Sequence, residues 1–507
     1  MPVNTTHPEY DGSLALWGRA RDVLAGEDSV KAAGERYLPK LQSQSDDEFN
    51  AYRNRASFFN ATGRTLDGYS GLIFRRAPFI KIPEGKTALG VALAQFLNDA
   101  DMLGTSLYGY AKDLVSEVIG VGRAGTLIDW ESEFENRAYV SLYQAEQIIN
   151  WRVERVNGRN VPTLIVLKET ASTNSADGFT NAVVQQIRVL KLVRAGSGTG
   201  QSSDANSKQA SFAYQVEIWR QALARGQGAS KKGDKADWML TETRTPLRLG
   251  KPLPLIPFVF HGPRNSLPAV DKLPLADLIS LNLDHYRLDA DYKHGMHFTA
   301  LPTAYVVGFG KEAKLRIGSS TAWTTETPGA TAGFLEFTGQ GLMTFERAMD
   351  RDEKLLAVLG SRLLEAQKRV GETAQAIELR QSGENSVLAN VGTSVSESLT
   401  QVLRWVYWWN STEETPELIT DNVVVVSLNT DFTTAGMDSN ELREIVAAWQ
   451  SGAISQDTML ELFRRGEILP DGRSNEDELA LINAGKQTQT SPAPAAAAVP
   501  ANKPMAA

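Results

Sequence analysis

The chain contains no cysteine in its 507 residues. That excludes disulfides, thiolate metal sites and cysteine nucleophiles. Histidine is scarce, limited to His7, His261, His285, His294 and His297. Long hydrophobic runs are also missing. NVVVVSL (422–428) and PLIPFVF (254–260) are strand-length, far short of the ~20 apolar residues that span a bilayer. No G-x-x-x-x-G-K-[ST], G-x-S-x-G or H-E-x-x-H pattern occurs, so P-loop, nucleophile-elbow and zincin chemistry have no sequence support. MPVNTTHPEYDGS at the start has neither a basic nor an apolar stretch, and no signal peptide is expected. A basic balance is absent too: net charge is −8 and the pI about 5.4. That argues against tight, sequence-specific DNA binding. It is compatible with enclosing DNA, because a weakly acidic wall lets a polyanion slide.

What is present is ordinary globular material. Hydrophobic residues make up 42% and charged residues 22%, enough for two or more domains with real cores. Residues 1–75 read as mainly helical. Leu14, Trp17, Ala20, Arg21 and Leu24 keep helical spacing, with Gly26 as a stop. From Ser45, a capped helix carries Phe49, Tyr52, Ala56 and Phe59 on one face. Two more helices are expected within 88–119. From Val140 to Phe260, short runs rich in Val, Ile, Tyr and Trp predict strands. Segments 194–211 and 224–237 read as long loops, and 487–507 as a disordered tail. VVVVSLNTDF (423–432) predicts a further strand. Residues 438–484 predict short helices broken at Gly452 and capped at Ser455.

The stretch 254–409 is the most informative. A proline-rich strand leads into a helical pattern from about Asp271 to Phe298. About forty residues of strand and turn follow, then a helix from about Leu342 to Leu364. A polar segment, EAQKRVGET (365–373), precedes a third helix from about Ala374 to Trp409. Such an order suits a subunit that builds a wall with its neighbours better than a compact enzyme. In the third helix Leu388, Val391, Val395, Leu399, Val402 and Val406 form an apolar stripe. This marks it as an interaction candidate; the alternative is the central helix of a large monomer.

The other motifs carry little chemistry. GVGRAG (120–125) matches G-x-G-x-x-G, but a helix precedes it and a strand follows. A dinucleotide site needs the reverse order, so a helix-to-strand turn is expected. Asp291, His294 and His297 could share a helix face and bind a divalent ion, as in a metal-dependent hydrolase. Gly295 between the histidines points instead to a helix end, and no metal, cofactor or catalytic residue is assigned. Asp284, Arg287, Asp289, Asp291 and Lys293 form a mixed-charge surface able to pair within the chain or across a subunit contact.

Several stretches together resemble the portal proteins of tailed bacteriophages, in particular a siphophage-type portal family built on an uncharacterised domain. They are WGRARDVLAGEDSVKAAGERYLP (17–39), YRNRASFFNATGRTLDGYSGLIFRRAP (52–78), PLIPFVFHGPRN (254–265), LADLISLNLDHYRLDADY (275–292), GFLEFTGQG (333–341), LAVLGSRLLE (356–365), ETAQAIELRQSGENSVLANV (372–391) and SGAISQDTMLELFRRGEILPDG (451–472). The order of these pieces, rather than any single one, carries the likeness. It implies an α+β portal fold with wing, stem, clip and crown, with long stem and wing helices and a mainly antiparallel β wing region. The wing would be 1–270 and 374–437, the stem 271–298 and 342–364, the clip 299–341, the tunnel loop 365–373 and the crown 438–486. The resemblance further implies a non-enzymatic homo-oligomeric ring, usually a 12-mer, at one capsid vertex of the virion, assembled in the host cytoplasm. Double-stranded DNA would pass through it non-specifically. Partners would be the terminase large subunit, the major capsid or scaffold protein and a head–tail adaptor, with no membrane. Lys368 and Arg369, with Gln367 and Glu372, would be the tunnel-loop residues nearest the DNA. Asp284, Arg287, Asp289, Asp291 and Lys293 would lie at stem contacts between subunits. Another virion adaptor is the alternative reading.

Overall fold

The computed structural model describes residues 2–83, 87–174, 181–194, 212–221, 238–299, 303–308, 326–335, 341–361, 374–430, 432, 439–466, 468, 469 and 475–489. They form a mixture of helix and antiparallel sheet, of the α+β class. The chain divides into two compact units, Met1–Thr430 and Asp431–Ala507.

The first unit opens with helices α1 (Pro8–Ala25), α2 (Glu27–Ala32), α3 (Asp46–Arg55) and α4 (Ala61–Ile73). Their ends follow local chemistry. His7 Nδ1 accepts the Glu9 N–H at the start of α1. Gly26, at φ +100°, ends that helix, where a side chain would be strained. Ser45 and Glu48 form a reciprocal capping box on α3. The continuous face expected through Phe59 is broken. Ala56 turns extended, and Asn60 accepts the Gly63 N–H to start α4. Ala56 is buried whereas Phe59 is 44% exposed.

Next come β1 (Phe79–Lys81), α5 (Ala88–Asn98), α6 (Leu107–Val121), β2 (Ala124–Glu131) and β3 (Arg137–Gln144). GVGRAG is the expected turn between α6 and β2. Gly122 caps α6 at φ +79°. A Cβ on Gly120 would lie 2.9 Å from Leu24 Cδ1, and one on Gly125 would meet Ile148 Cδ1 at 2.9 Å. The glycines serve one turn and two close approaches, not a phosphate.

Strands β4 (Ile148–Val156), β5 (Arg159–Asn174), β6 (Asn181–Arg194), β7 (Phe212–Gln221) and β8 (Trp238–Arg244) form an antiparallel five-stranded meander in sequence order. The loops expected at 194–211 and 224–237 lie outside the described residues, save Arg194 at the end of β6. A short hairpin, β9 (Leu247–Arg248) and β10 (Lys251–Pro252), precedes β11 (Phe258–His261). β11 pairs with β2, and β2 with β3, in a second antiparallel sheet.

Helix α7 (Ala276–Thr299), the antiparallel pair β12 (Thr303–Val307) and β13 (Thr331–Leu335), helix α8 (Leu342–Leu356) and the long helix α9 (Ala374–Asn410) follow. A π-helical turn, Ala357–Ser361, extends α8. Of the strand expected at 423–432, β14 (Val425–Ser427) forms, pairing with β1.

The core centres on α9. Leu388, Val391, Val395, Leu399, Val402 and Val406 are all buried, and so are Ser394, Ser398, Thr400, Leu403, Trp405, Trp408 and Trp409. The apolar stripe of 388–409 is buried within the chain while Asn390, Thr393, Glu397 and Gln401 line the exposed side, so this stripe belongs to the core, which corrects its reading as an interaction surface. Its hydroxyls are spent inside: Ser394 donates to Gly262 O at 2.8 Å, and Thr400 both donates to Val426 O and accepts the Val426 N–H. His261 lies between Thr126 Oγ1 (2.6 Å) and Ser398 Oγ (2.7 Å), and Tyr110 reaches the same Thr126 hydroxyl. Burial pushes the His261 pKa down to about 3, so the imidazole is neutral.

The second unit holds α10 (Ser439–Gln450), α11 (Gln456–Arg465) and α12 (Asn475–Gln489). Gly452 stands at φ +77° between the first two, and Ser455 caps α11 by accepting the Thr458 N–H. Arg464 joins Glu461 at 2.6 Å and Asn475 at 2.8 Å.

Candidate functional site: the α7–α8 hairpin

Helix α7 has 24 residues, about 36 Å of helix. Its first half is anchored. Leu278, Ile279, Asn282, Leu283, His285, Tyr286 and Ala290 are buried. Asn282 Oδ1 accepts both the backbone N–H (3.1 Å) and the hydroxyl (2.9 Å) of Thr62, and its Nδ2 donates to Phe59 O at 2.7 Å. One buried amide therefore fixes the start of α4 against α7. Tyr52 donates to Asp291 Oδ1 at 2.5 Å, and Asp289 accepts the Ser57 N–H at 2.6 Å.

Past Ala290 no residue of α7 is buried, and Met296 and Phe298 are exposed. The same holds for the elements that continue it. Tyr305, Val307, Phe334 and Met343 are each about half exposed. On α8 only Asp352 and Leu356 are buried. Tyr292 of α7 donates to Glu346 of α8 at 2.7 Å. Gly295 lets the helices close up, since a Cβ there would lie 2.7 Å from Leu342 Cδ2. The helix runs on through Gly295 to Thr299, so this glycine marks a helix crossing rather than the helix end expected from sequence. At the root, a Cβ on Gly360 of the π turn would stand 2.9 Å from Leu278 Cδ2. His285 is buried there, 3.6 Å from Glu353 Oε1.

All five charged residues singled out on α7 have partners within the chain. Arg287 bonds Asp284 at 2.5 Å and Tyr37 O at 2.8 Å. Asp289 pairs with Lys293 at 3.2 Å, Lys293 also reaches Ser57, and Asp291 takes the Tyr52 hydroxyl. His294 packs edge-on against Tyr52 and Phe298. Burial first, and Arg55 second, lower its pKa. Asp291 and His294 are thus committed to Tyr52. Among the described residues no group of three or more His, Asp or Glu is placed to hold a metal ion, and no helix is long and apolar enough to cross a membrane. Gln367, Lys368, Arg369 and Glu372 lie outside the described residues.

Sequence reasoning missed Asn282, Tyr292 and Gly360. Asn282 and Tyr292 find their partners at separations of 220 and 54 residues, where no local pattern reports a contact. Gly360 had a visible signal: a glycine inside an apolar helical run implies a close neighbour.

One family model matches the chain. It is described as a domain of unknown function (DUF4055), and it covers residues 274–410, from the root of α7 to the last residue of α9. The hairpin, its β pair and the long helix therefore fall within one matched segment. No curated protein matches. Among solved structures, a chain from the neck of an empty GTA particle computed with C6 symmetry aligns with 88% of this chain and 99% of its own length, at 10% identity and a TM-score of 0.36. A chain from the neck of a native GTA particle computed with C12 symmetry gives the same coverage and TM-score at 9% identity. Likeness at that level fixes neither fold nor function.

Proposed function

We propose that the chain is the subunit of a portal ring, a conduit through which double-stranded DNA enters and leaves a virion. The hairpin carries this reading. Two helices joined through a β pair are buried at their root and exposed beyond it, where Met296, Phe298, Tyr305, Val307, Phe334 and Met343 stand open among charged residues. Exposed apolar side chains on one protruding element suit a protein contact, and a ring of copies would cover them. In this reading 271–298 and 342–364 form the stem, 299–341 the clip, 365–373 the tunnel loop, 438–486 the crown and the rest of 1–437 the wing. The clip would dock the terminase large subunit and later a head–tail adaptor, and the wing would meet the capsid or scaffold protein. The resemblance in sequence order supports the same assignment.

Charge agrees with a conduit. Helix α7 carries four aspartates against Arg287 and Lys293, and α8 carries four carboxylates against three cations. A net −3 per hairpin repels phosphate, so DNA would not adhere to the stem. Lys368 and Arg369 remain the candidates for sparse phosphate contacts. Removing residues 365–373 tests the conduit role. The variant is expected to form rings but to package little DNA in a complementation assay; full packaging by such rings would contradict it.

A further inference from the structure

The three most exposed large apolar side chains among the described residues are Phe134 (88%), Leu103 (86%) and Leu249 (72%). Solvent-facing turn tips ordinarily carry polar residues or glycine, and these turns are held rigid. The loop after α5 is fixed by two carboxylates: Asp101 accepts the Leu103 and Thr105 N–H groups at 2.9 and 3.2 Å, and Asp99 accepts the Gly104 N–H at 3.0 Å. The β2–β3 turn closes on Glu131, whose carboxylate accepts the N–H groups of Glu133, Phe134, Glu135 and Asn136. Buried Arg137 ties the two loops together, bonding Asp99 O at 2.6 Å and Asp99 Oδ2 and Glu135 at 2.5 Å. Leu249 stands at φ +49° in the β9–β10 turn, and it shares with Asn136, Trp130 and Trp409 a hollow of about 570 Å³. Leu103 and Phe134 thus project from one clamped platform with Leu249 beside it. The backbone of both tips is already ordered within the monomer, which lowers the cost of using them as anchors.

The platform is acidic, with Asp99, Asp101, Glu133 and Glu135 around the two tips. Its complement lies on the same chain. Before α5, exposed Phe79 (60%) and Lys81 share one face of β1, with exposed Arg75 four residues before Phe79; among the described residues β1 pairs with β14 alone. In the chain the eleven residues of α5 separate β1 from the Leu103 turn. We propose that the Leu103–Phe134 platform of one copy docks on the Phe79–Lys81 face of the next, a head-to-tail contact of opposite charge. This rests on the ring reading and names one of its contacts. A heterologous contact is the kind that closes into a ring, whereas a patch that meets itself yields only pairs.

The test uses the full-length protein and mass photometry across concentration and salt. Leu103→Asp with Phe134→Asp, both on exposed tips, is expected to keep the wild-type melting temperature and to need at least tenfold more protein to assemble. Phe79→Asp with Lys81→Glu is expected to do the same. Mixing the two variants should restore one intact contact and give pairs that grow no further. Wild-type rings and equally stable Leu103→Asp/Phe134→Asp rings would overturn this contact while leaving the ring reading in place. A wild-type protein that stays monomeric throughout would overturn both. Pairs formed by the Phe79→Asp/Lys81→Glu variant alone would overturn the head-to-tail geometry.

Discussion

Asn282 shows how much of the hairpin's placement rests on one side chain. Asn282→Leu removes three bonds and strands the N–H and hydroxyl of the fully buried Thr62, while Phe59 O keeps the Ala61 N–H at 2.8 Å. The expected loss is about 2–3 kcal/mol, read as a lower denaturant midpoint at unchanged slope. His261 makes a different claim. Its folded pKa, near 3, lies below the unfolded value of about 6.5. Between those values the unfolded chain holds one more proton than the folded one, so stability falls as pH drops through that window and is fully present above it. The slope attributable to His261 is about 1.4 kcal/mol per pH unit. His261→Gln should lack that part of the slope in denaturation series from pH 7 to 4; an unchanged slope would show that the imidazole is not held neutral. Neither role is visible in sequence, because both depend on partners more than a hundred residues away in the chain.

Helix ends were the most legible elements. Gly26, Ser45, Gly452 and Ser455 each act where local chemistry places a stop or a cap. Ser45→Ala should cost about 1 kcal/mol in thermal unfolding; no change would mean the capping box contributes nothing. The break at Ala56 was hidden because apolar spacing runs through it, while the Asn60 cap that decides it looks like an ordinary polar residue. The long helix was misread for a related reason. A 3.6-residue period shows that a face is covered, not whether a core or a neighbouring subunit covers it. Ser394, Ser398 and Thr400 look like surface residues in the sequence, yet they are buried through hydrogen bonds. The α7–α8 crossing gives a paired expectation. Gly295→Ala should stay within about 1 kcal/mol of wild type, since Leu342 can swing aside and alanine favours helix. Gly295→Phe should wedge the helices and cost about 1–3 kcal/mol. Equal melting temperatures for the two would contradict the close crossing.

At the scale of the whole molecule, the absences and the surface point the same way. No motif assigns chemistry, and the α7–α8 hairpin and the Leu103–Phe134 platform both carry exposed apolar side chains. The helix–β–helix–helix order was legible because long periodic segments report themselves. Burial at the hairpin's root and exposure beyond it were not, since they depend on packing against α3 and α4. In the proposed reading the working unit is a closed ring around a DNA-sized hole. Negative-stain electron microscopy of the purified full-length protein tests it most directly. Closed rings with a central opening are expected; monomers at every protein and salt concentration would contradict the ring.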